Sequence, residues 1–268
     1  MRAKGKREGS TMSKRILIAS AWGLTMALVA GAPPLARAVA DDAGALVKQA
    51  VDALPKRPFT AKLKLTPSSQ PQRDLTLDHK LVGGARATYL EVTAPDALSG
   101  IRFLFLEHAN AEPEQYIKVA AARNAVRVKD QVRKQPFLES DFYVSDLVEP
   151  VLDAYTYKFV GEEELLGRKT RLVEAVPKNS ANEIYSKTVI AIDPVDQLIL
   201  KRSFYDLKGN LLKVWTIDKV EKVDGTWTIR EQTMTTVPDK TTSRLLNPEI
   251  HYDVDLKDSM FTPEHLRR

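Results

Sequence analysis

The sequence predicts a mainly β protein: one open, strongly curved antiparallel half-barrel lidded by short helices. From Phe59 onward, apolar residues recur at every second position, the period of a strand with one buried face. Turn sequences such as Asp193-Pro194-Val195-Asp196 and Asp224-Gly225 separate the alternating segments and indicate hairpins. We expect about eleven strands, and a sheet of that size should curl or close.

Residues 1–40 have the features of a cleaved signal peptide. The basic start Met12-Ser13-Lys14-Arg15 precedes an uncharged apolar stretch from Ile16 to Gly31, and Ala38-Val39-Ala40 fits the small-x-small cleavage pattern. The apolar stretch is short for a membrane span, which favours cleavage. A segment that is retained as a membrane anchor is the alternative. Translation starts at Met1 or Met12. We therefore expect export to the periplasm, with residues 41–268 forming one domain.

The net positive charge of the chain comes from that first segment. The whole chain carries 40 Lys and Arg against 35 Asp and Glu. Residues 1–40 hold seven of the basic and one of the acidic residues, so residues 41–268 carry 33 basic and 34 acidic residues. The mature chain thus gives no reason to expect a nucleic-acid partner. Without cysteine it has no disulfide, cysteine-based metal site or thiolate nucleophile.

A helix is predicted at the start of the mature chain. Asp41 or Asp42 can cap it, and Pro55 ends it. Its apolar positions fall at helical spacing: Leu46, Val47, Ala50, Val51 and Leu54.

The strand segments follow in order. They lie near 59–66, 75–81, 86–93, 101–106, 115–119, 124–128, 155–159, 169–175, 188–192, 198–205, 211–220, 226–235 and 242–254. Residues 134–157, with Pro136 and Pro150, predict a loop that contains a short helix over 146–154 capped by Ser145. Met260–Leu266 predicts a closing helix with Pro263 in its first turn.

No catalytic motif is present. Nucleophile elbow, phosphate-binding and HExxH patterns are missing, and the four histidines lie far apart in the chain. Three polar groups are better explained as solvated surface: His251 with Asp253 and Asp255, His108 with Glu107, Glu112 and Glu114, and the run Glu162–Glu164. We expect the protein not to be an enzyme and to bind neither a metal nor a cofactor. A hydrolase whose catalytic residues are not recognisable from sequence is the alternative, because catalytic triads need not be local in sequence.

The stretch Pro136-Phe137-Leu138-Glu139-Ser140-Asp141-Phe142-Tyr143-Val144-Ser145-Asp146-Leu147 carries a family resemblance. It is similar to the F-x-G-S-D-F-S-Y-x-D-L pattern of a subgroup of the LolA/LolB-like outer-membrane lipoprotein-sorting proteins, the subgroup found with RND-type exporters. Glu139 stands where glycine is usual, and Tyr143-Val144 replaces a Ser-Tyr pair. Weaker matches follow in order: Gly161-Glu162-Glu163, Gly167, Val173-Glu174, Pro177-Lys178, Tyr205-Asp206, Gly209, Phe261-Thr262-Pro263 and Leu266.

The resemblance implies a β half-barrel around an apolar cavity that holds acyl chains, without catalytic residues, metal or cofactor. It also implies, as a partner, an RND-type exporter or a lipoprotein-releasing complex of the inner membrane, and we expect a monomer. The alternative is an adaptor of such an exporter that has a filled core and acts through its surface.

Strand alternation supplies the candidate lipid-binding residues. They are Leu63, Leu65, Leu77, Tyr89, Phe103, Phe105, Tyr116, Leu200, Trp215 and Trp227, together with Phe137 and Phe142 as parts of a mobile lid. Each of these side chains could instead fill the core. The parity of Phe103 and Phe105 is open, because that strand is apolar on both faces.

Overall fold

Thirteen strands pair into one antiparallel sheet in the computed structural model, which describes residues 42–109, 111–181 and 183–267. The predicted signal peptide, residues 1–40, lies outside the described residues. The strands are β1 (Phe59–Pro67), β2 (Arg73–Val82), β3 (Ala85–Ala94), β4 (Arg102–Glu107), β5 (Glu114–Lys118), β6 (Val126–Arg127), β7 (Tyr155–Leu165), β8 (Arg168–Pro177), β9 (Lys187–Asp193), β10 (Leu198–Tyr205), β11 (Leu211–Val223), β12 (Thr226–Thr236) and β13 (Thr241–Tyr252).

The prediction of a mainly β, open and curved antiparallel sheet is confirmed, but the count of about eleven strands is wrong. Every alternating segment pairs, including the short segments that became the five-residue β5 and the two-residue β6. Alternation cannot define a strand as short as β6, because two residues do not establish a period.

The sheet consists of two meanders joined in the middle. Its order is β6-β5-β4-β3-β2-β1-β13-β12-β11-β10-β9-β8-β7, so the first and last strands of the chain pair at the centre. The two edges, β6 and β7, are consecutive in the chain. Residues 128–154, which we call the strap, therefore run from one edge of the sheet to the other. The same cavity touches both edges, which shows how strongly the sheet curls.

The first helix forms as predicted. It is α1 (Ala43–Asp52), and the Asp42 side chain caps it by accepting the N–H groups of Gly44 and Ala45 at 2.8 and 3.2 Å. A Cβ on Gly44 would lie 3.3 Å from the Tyr157 ring, so glycine permits the close approach of α1 to β7.

In the described ranges, no helix is long and apolar enough to cross a bilayer.

The predicted helix over 146–154 is wrong. The strap contains α2 (Asp130–Arg133) and only single 3-10 turns at Phe137–Glu139, Val144–Leu147 and Leu152–Ala154. Pro150 lacks the N–H that a continuous helix would need at this point.

The closing helix is also shorter than predicted. Two 3-10 turns, Asp258–Phe261 and His265–Arg267, replace it. Thr262 between them is extended, the conformation that the following Pro263 favours.

Three apolar clusters bury the faces of the sheet. The main core lies on the inner face of β1–β4 and β10–β13, under the strap. The α1 core lies where α1 packs on the inner face of β8–β10. The outer cluster lies on the opposite face of β3 and β4, where Phe261 and Leu266 of the C-terminal segment cover it.

Candidate functional site

A cavity of about 760 Å³ lies between α1, the strap and the inner face of β7–β10. It reaches across to β5 and β6 at the other edge of the sheet. Its volume falls within the range of roughly 300–1,000 Å³ that is typical of small-molecule sites.

One wall of the cavity is apolar. Val47 and Val51 point to it from α1, because they lie one helical turn apart on the buried face. Ala175 of β8 and Ile190 of β9 continue this wall on the sheet. The strap supplies the rest: Val148, Pro150, Val151, Leu152 and Ala154.

Tyrosines mark the end of the apolar wall at β7. Tyr155 and Tyr157 both line the cavity, and the Tyr157 hydroxyl donates to the Leu152 carbonyl at 2.9 Å. Burial raises the pKa of Tyr155 to about 12, so its hydroxyl stays protonated at neutral pH. Burial also raises the pKa of the Glu183 carboxyl beside it, with the like charge of Glu112 as a further cause.

The opposite wall carries a partly buried ion pair. Arg202 Nη2 on β10 lies 2.7 Å from both carboxylate oxygens of Glu149 on the strap. The Glu149 N–H donates to Glu107 Oε2 at 2.9 Å, and burial raises the pKa of Glu107. The Arg202 guanidinium also lies 5.7 Å from the Trp215 ring. These contacts fix Arg202 and fasten the strap to β4 and β10.

A second ion pair, whose side chains are buried, stands between the cavity and the main core. Lys213 Nζ lies 3.4 Å from Asp146 Oδ2 and donates to the Asp141 carbonyl at 2.6 Å. The Tyr185 hydroxyl donates to Asp146 Oδ1 at 2.7 Å. Burial lowers the pKa of Lys213 to about 8 and raises the pKa of Asp146, because both ionised groups lose contact with water.

Most of the predicted lipid-binding residues lie in the main core, where aromatic rings pack against one another. The ring centroids of Phe103 and Phe137 are 4.9 Å apart, and those of Phe103 and Phe105 are 6.2 Å apart. Phe103 and Phe105 both point to the inner face of the sheet, which the sequence had left open. This core includes Leu65, Phe103, Phe105, Phe137 and Phe142 as buried members, with Leu63, Leu77 and Trp215 packed against them.

The remaining predicted residues lie elsewhere. Tyr89 and Tyr116 belong to the outer cluster on the other face of the sheet. Leu200 is fully buried on β10, and Trp227 stacks under the guanidinium of Arg168 at 4.6 Å. None of the twelve predicted residues is among those that line the cavity of about 760 Å³. Lipid contact by these side chains therefore remains a prediction.

The polar residues of the site were missed by reasoning from sequence, although one signal was present. Arg202 and Phe204 alternate along β10, and Lys213 and Trp215 alternate along β11. A charged residue at an inward position of a strand indicates a buried partner. The partners Glu149 and Asp146 lie on the strap, where no periodicity locates them.

Most of the polar groups that we assigned to solvated surface form ordinary ion pairs. The assignment is wrong for Glu107, whose side chain is only 12% exposed and accepts the Glu149 N–H. Asp253 pairs with Arg57, His251 with Glu249, and Glu163 with Lys201. His108 lies 3.6 Å from Glu114. In the part of the chain that the structure describes, no three His, Asp or Glu side chains converge to hold a metal ion.

Comparison with known proteins identifies a family. A family model described as an uncharacterized protein matches residues 84–268. The model covers more than half of the chain, so the chain belongs to this family. No curated protein matches the sequence significantly.

Solved structures share the fold. A domain from Vibrio parahaemolyticus assigned to outer membrane lipoprotein sorting is 21% identical, with a TM-score of 0.77 over 84% of this chain and 98% of that one. A DUF1329 family protein from Desulfovibrio piger is 20% identical, with a TM-score of 0.75 over 84% and 99%. A LolA superfamily protein from Nitrosomonas europaea is 14% identical, with a TM-score of 0.63 over 84% and 99%. The LolA-like fold implied by the resemblance is therefore confirmed.

Proposed function

We propose that this protein is a periplasmic carrier that holds the acyl part of a lipid or lipoprotein in the cavity beneath α1 and moves it toward the outer membrane. The observation that carries the proposal is the apolar wall formed by Val47, Val51, Ala175 and Ile190 on one side of a cavity of about 760 Å³. The LolA-like fold supports it, because a structural relative is assigned to lipoprotein sorting.

Transfer energies explain why an acyl chain needs such a carrier. Each CH₂ group that leaves lipid for water costs roughly 0.8 kcal/mol, so a long acyl chain does not cross water unaided. A dry concave wall offsets this cost in proportion to the apolar area that the chain covers. The predicted signal peptide, residues 1–40, would deliver the carrier to the periplasm.

An adaptor function is the second candidate, and the packing of aromatic side chains in the main core favours it. Phe103, Phe105 and Phe137 occupy the space beneath the strap that a ligand would otherwise enter. In that case an RND-type exporter would bind the outer surface of a monomer, and the cavity beneath α1 would have no ligand.

We also propose that the protein is not an enzyme. Ser145 is the serine among the strap residues that line the cavity, and its hydroxyl has no hydrogen-bond partner among the described residues. A serine nucleophile needs an adjacent base, and Ser145 lacks one among the described residues. The buried Lys213 and Asp146 satisfy each other and Tyr185.

Organic extraction of the protein purified from a bacterial periplasm tests the carrier proposal. We expect mass spectrometry to find about one acyl species per protein molecule. Val51→Asp places a carboxylate in the apolar wall and should lower that occupancy at least tenfold, because burying a charge beside hydrocarbon is costly. Val195→Asp is the matched control, since Val195 is 84% exposed and does not line the cavity.

The outcomes separate the two candidates. Wild-type protein that is folded and free of acyl species favours the adaptor. Equal occupancy in both variants would place the acyl chain outside the cavity beneath α1.

A further inference from the structure

One short segment is strongly basic, although residues 41–268 together are nearly neutral. Of the 33 basic and 34 acidic residues in 41–268, six basic residues and one acidic residue fall within 118–134. That segment has a net charge of +5, and the rest of 41–268 has a net charge of −6. We call residues 118–134 the basic corner. Its basic residues are Lys118, Arg123, Arg127, Lys129, Arg133 and Lys134. Such a separation of charge orients a molecule toward a negatively charged surface.

The basic corner lies at one edge of the sheet. It runs from the end of β5 through a turn into the edge strand β6, where Val126 pairs with Ile117, and it continues through α2 in the strap. Arg123, Lys129 and Lys134 are exposed and form no ion pair with any described residue. Their charges are therefore available to a partner.

Exposed valines lie between these charges. Val126 is 65% exposed, Val119 is 49% exposed and Val132 is 36% exposed. Charged residues on an edge strand can simply prevent pairing with another sheet, but exposed apolar side chains among them oppose that protection. Basic residues that alternate with apolar ones instead match an anionic bilayer, where the cations meet lipid phosphates and the apolar side chains enter the interface.

The basic corner also borders the cavity beneath α1. Arg127, Lys129 and Arg133 line this cavity, together with Val128. A bilayer bound at the corner would therefore lie beside this end of the cavity.

Other anionic partners fit the corner less well. A single-stranded nucleic acid would need aromatic side chains on which its bases stack, and residues 118–134 contain none. A soluble acidic protein would pair with the basic residues but does not require the exposed valines, which a bilayer interface accommodates.

We propose that the basic corner is the surface through which this protein docks on an anionic lipid bilayer. Its cations contact the lipid phosphates, and Val119, Val126 and Val132 enter the interface. The inference rests on the proposed carrier function for its purpose, because a carrier has to reach the membrane that supplies its acyl chain.

Co-sedimentation with lipid vesicles tests the docking surface. Protein purified from a bacterial periplasm should bind vesicles that contain phosphatidylglycerol. It should bind vesicles of pure phosphatidylcholine about tenfold more weakly or less, because these carry no net charge. Raising the salt concentration to about 0.5 M should release most of the bound protein, since salt screens the attraction.

Removal of three charges from the corner tests which residues bind. In the combined variant Arg123→Gln, Lys129→Gln and Lys134→Gln, affinity for the anionic vesicles should fall roughly a hundredfold. The reason is that each basic residue near an anionic surface contributes about a fivefold change in affinity.

The matched control removes three exposed lysines that lie outside the corner. It combines Lys56→Gln, Lys64→Gln and Lys208→Gln, so both variants have the same net charge. The control should bind the anionic vesicles nearly as the wild type does, because its substitutions leave the docking surface intact.

A second pair of variants isolates the valines without changing charge. Val119→Ser combined with Val126→Ser should weaken vesicle binding roughly tenfold, because apolar area no longer enters the interface. Val195→Ser combined with Leu207→Ser is the control, since Val195 is 84% exposed, Leu207 is 62% exposed, and both lie outside the corner.

Four results would overturn the docking surface. The first is wild-type protein that binds both kinds of vesicle equally or binds neither. The second and third are equal binding by the glutamine variant and its control, and by the serine variant and its control. The fourth is soluble polyglutamate that competes as effectively as the anionic vesicles, which would identify an acidic protein as the partner.

The carrier proposal is judged by a different measurement, the acyl species extracted from the same protein. Protein that contains an acyl species but binds no vesicle would contradict the docking surface and support the carrier. Protein that docks through the basic corner but contains no acyl species would support the docking surface and contradict the carrier.

Discussion

Glu139 adopts a left-handed backbone conformation, with φ at +59°. Residues other than glycine pay roughly 1–2 kcal/mol for this conformation, because Cβ crowds the backbone. The similar family pattern has glycine at this position, and the geometry explains why. Glu139 brings a compensating contact, since its carboxylate lies 2.6 Å from Nη2 of Arg73, a side chain that is only 2% exposed.

Two substitutions at Glu139 isolate the backbone strain. Both Glu139→Gly and Glu139→Ala remove the carboxylate that faces Arg73, so loss of the ion pair cancels in their comparison. We expect the glycine variant to be more stable than the alanine variant by about 1 kcal/mol. Urea denaturation measures the difference.

Lys64 provides the control for this pair. It is exposed on β1, where the backbone is extended and glycine is the less favourable residue. The order of stability should reverse there, with Lys64→Ala above Lys64→Gly. Equal stabilities of the two Glu139 variants would show that the left-handed backbone is not a cost at that position.

Alternation does not predict which residues face inward when both faces of a strand are apolar. Phe103 and Phe105 lie on such a strand. They face the inner side, where Phe137 packs, and Leu266 packs on the opposite face of the sheet. The pattern cannot supply this information, because the covering segments lie far away in the chain.

At the scale of elements, the strap is the part of the molecule that local signals describe least well. Its helix prediction over 146–154 fails, because buried side-chain contacts determine its course. Asp141 shows how: its carboxylate accepts hydrogen bonds from the hydroxyls of Thr236, Thr241 and Ser243. Its N–H donates to Ser243 Oγ at 2.9 Å. One residue thereby fastens the strap to β12 and β13.

Removing this carboxylate should loosen the strap without unfolding the sheet. In Asp141→Ala, hydrogen exchange of the amides at 137–144 should be accelerated about thirtyfold. This corresponds to a loss of about 2 kcal/mol from hydrogen bonds to a charged acceptor. Asp141→Asn keeps one acceptor oxygen and should show a smaller effect.

The amides of β3 and β4 serve as the internal reference. Their exchange should stay as in the wild type, because Asp141 makes no described contact with those strands. Uniform acceleration over the whole sheet would show that the strap and the sheet open together, contrary to this prediction.

At the scale of the whole molecule, one half of the sheet carries the main core beneath the strap, and the other half borders the cavity beneath α1. The residues that fill the main core and those that line the cavity have the same apolar, alternating pattern, so the pattern predicts the curved sheet but not where it is hollow. The difference depends on volumes summed over distant segments. The strap sends Phe137 and Phe142 into one half, and α1 with Gly44 lies close against β7 over the other.

Photo-crosslinking locates the acyl chain most directly. A fatty acid with a diazirine near its tail would be bound to the wild-type protein, illuminated, and its attachment sites mapped by peptide mass spectrometry. We predict saturable labelling of Val47 and Val51 on α1, of Ala175 on β8 and of Ile190 on β9, the apolar wall of the cavity. Labelling confined to residues 63–105, or labelling that never saturates, would contradict the account.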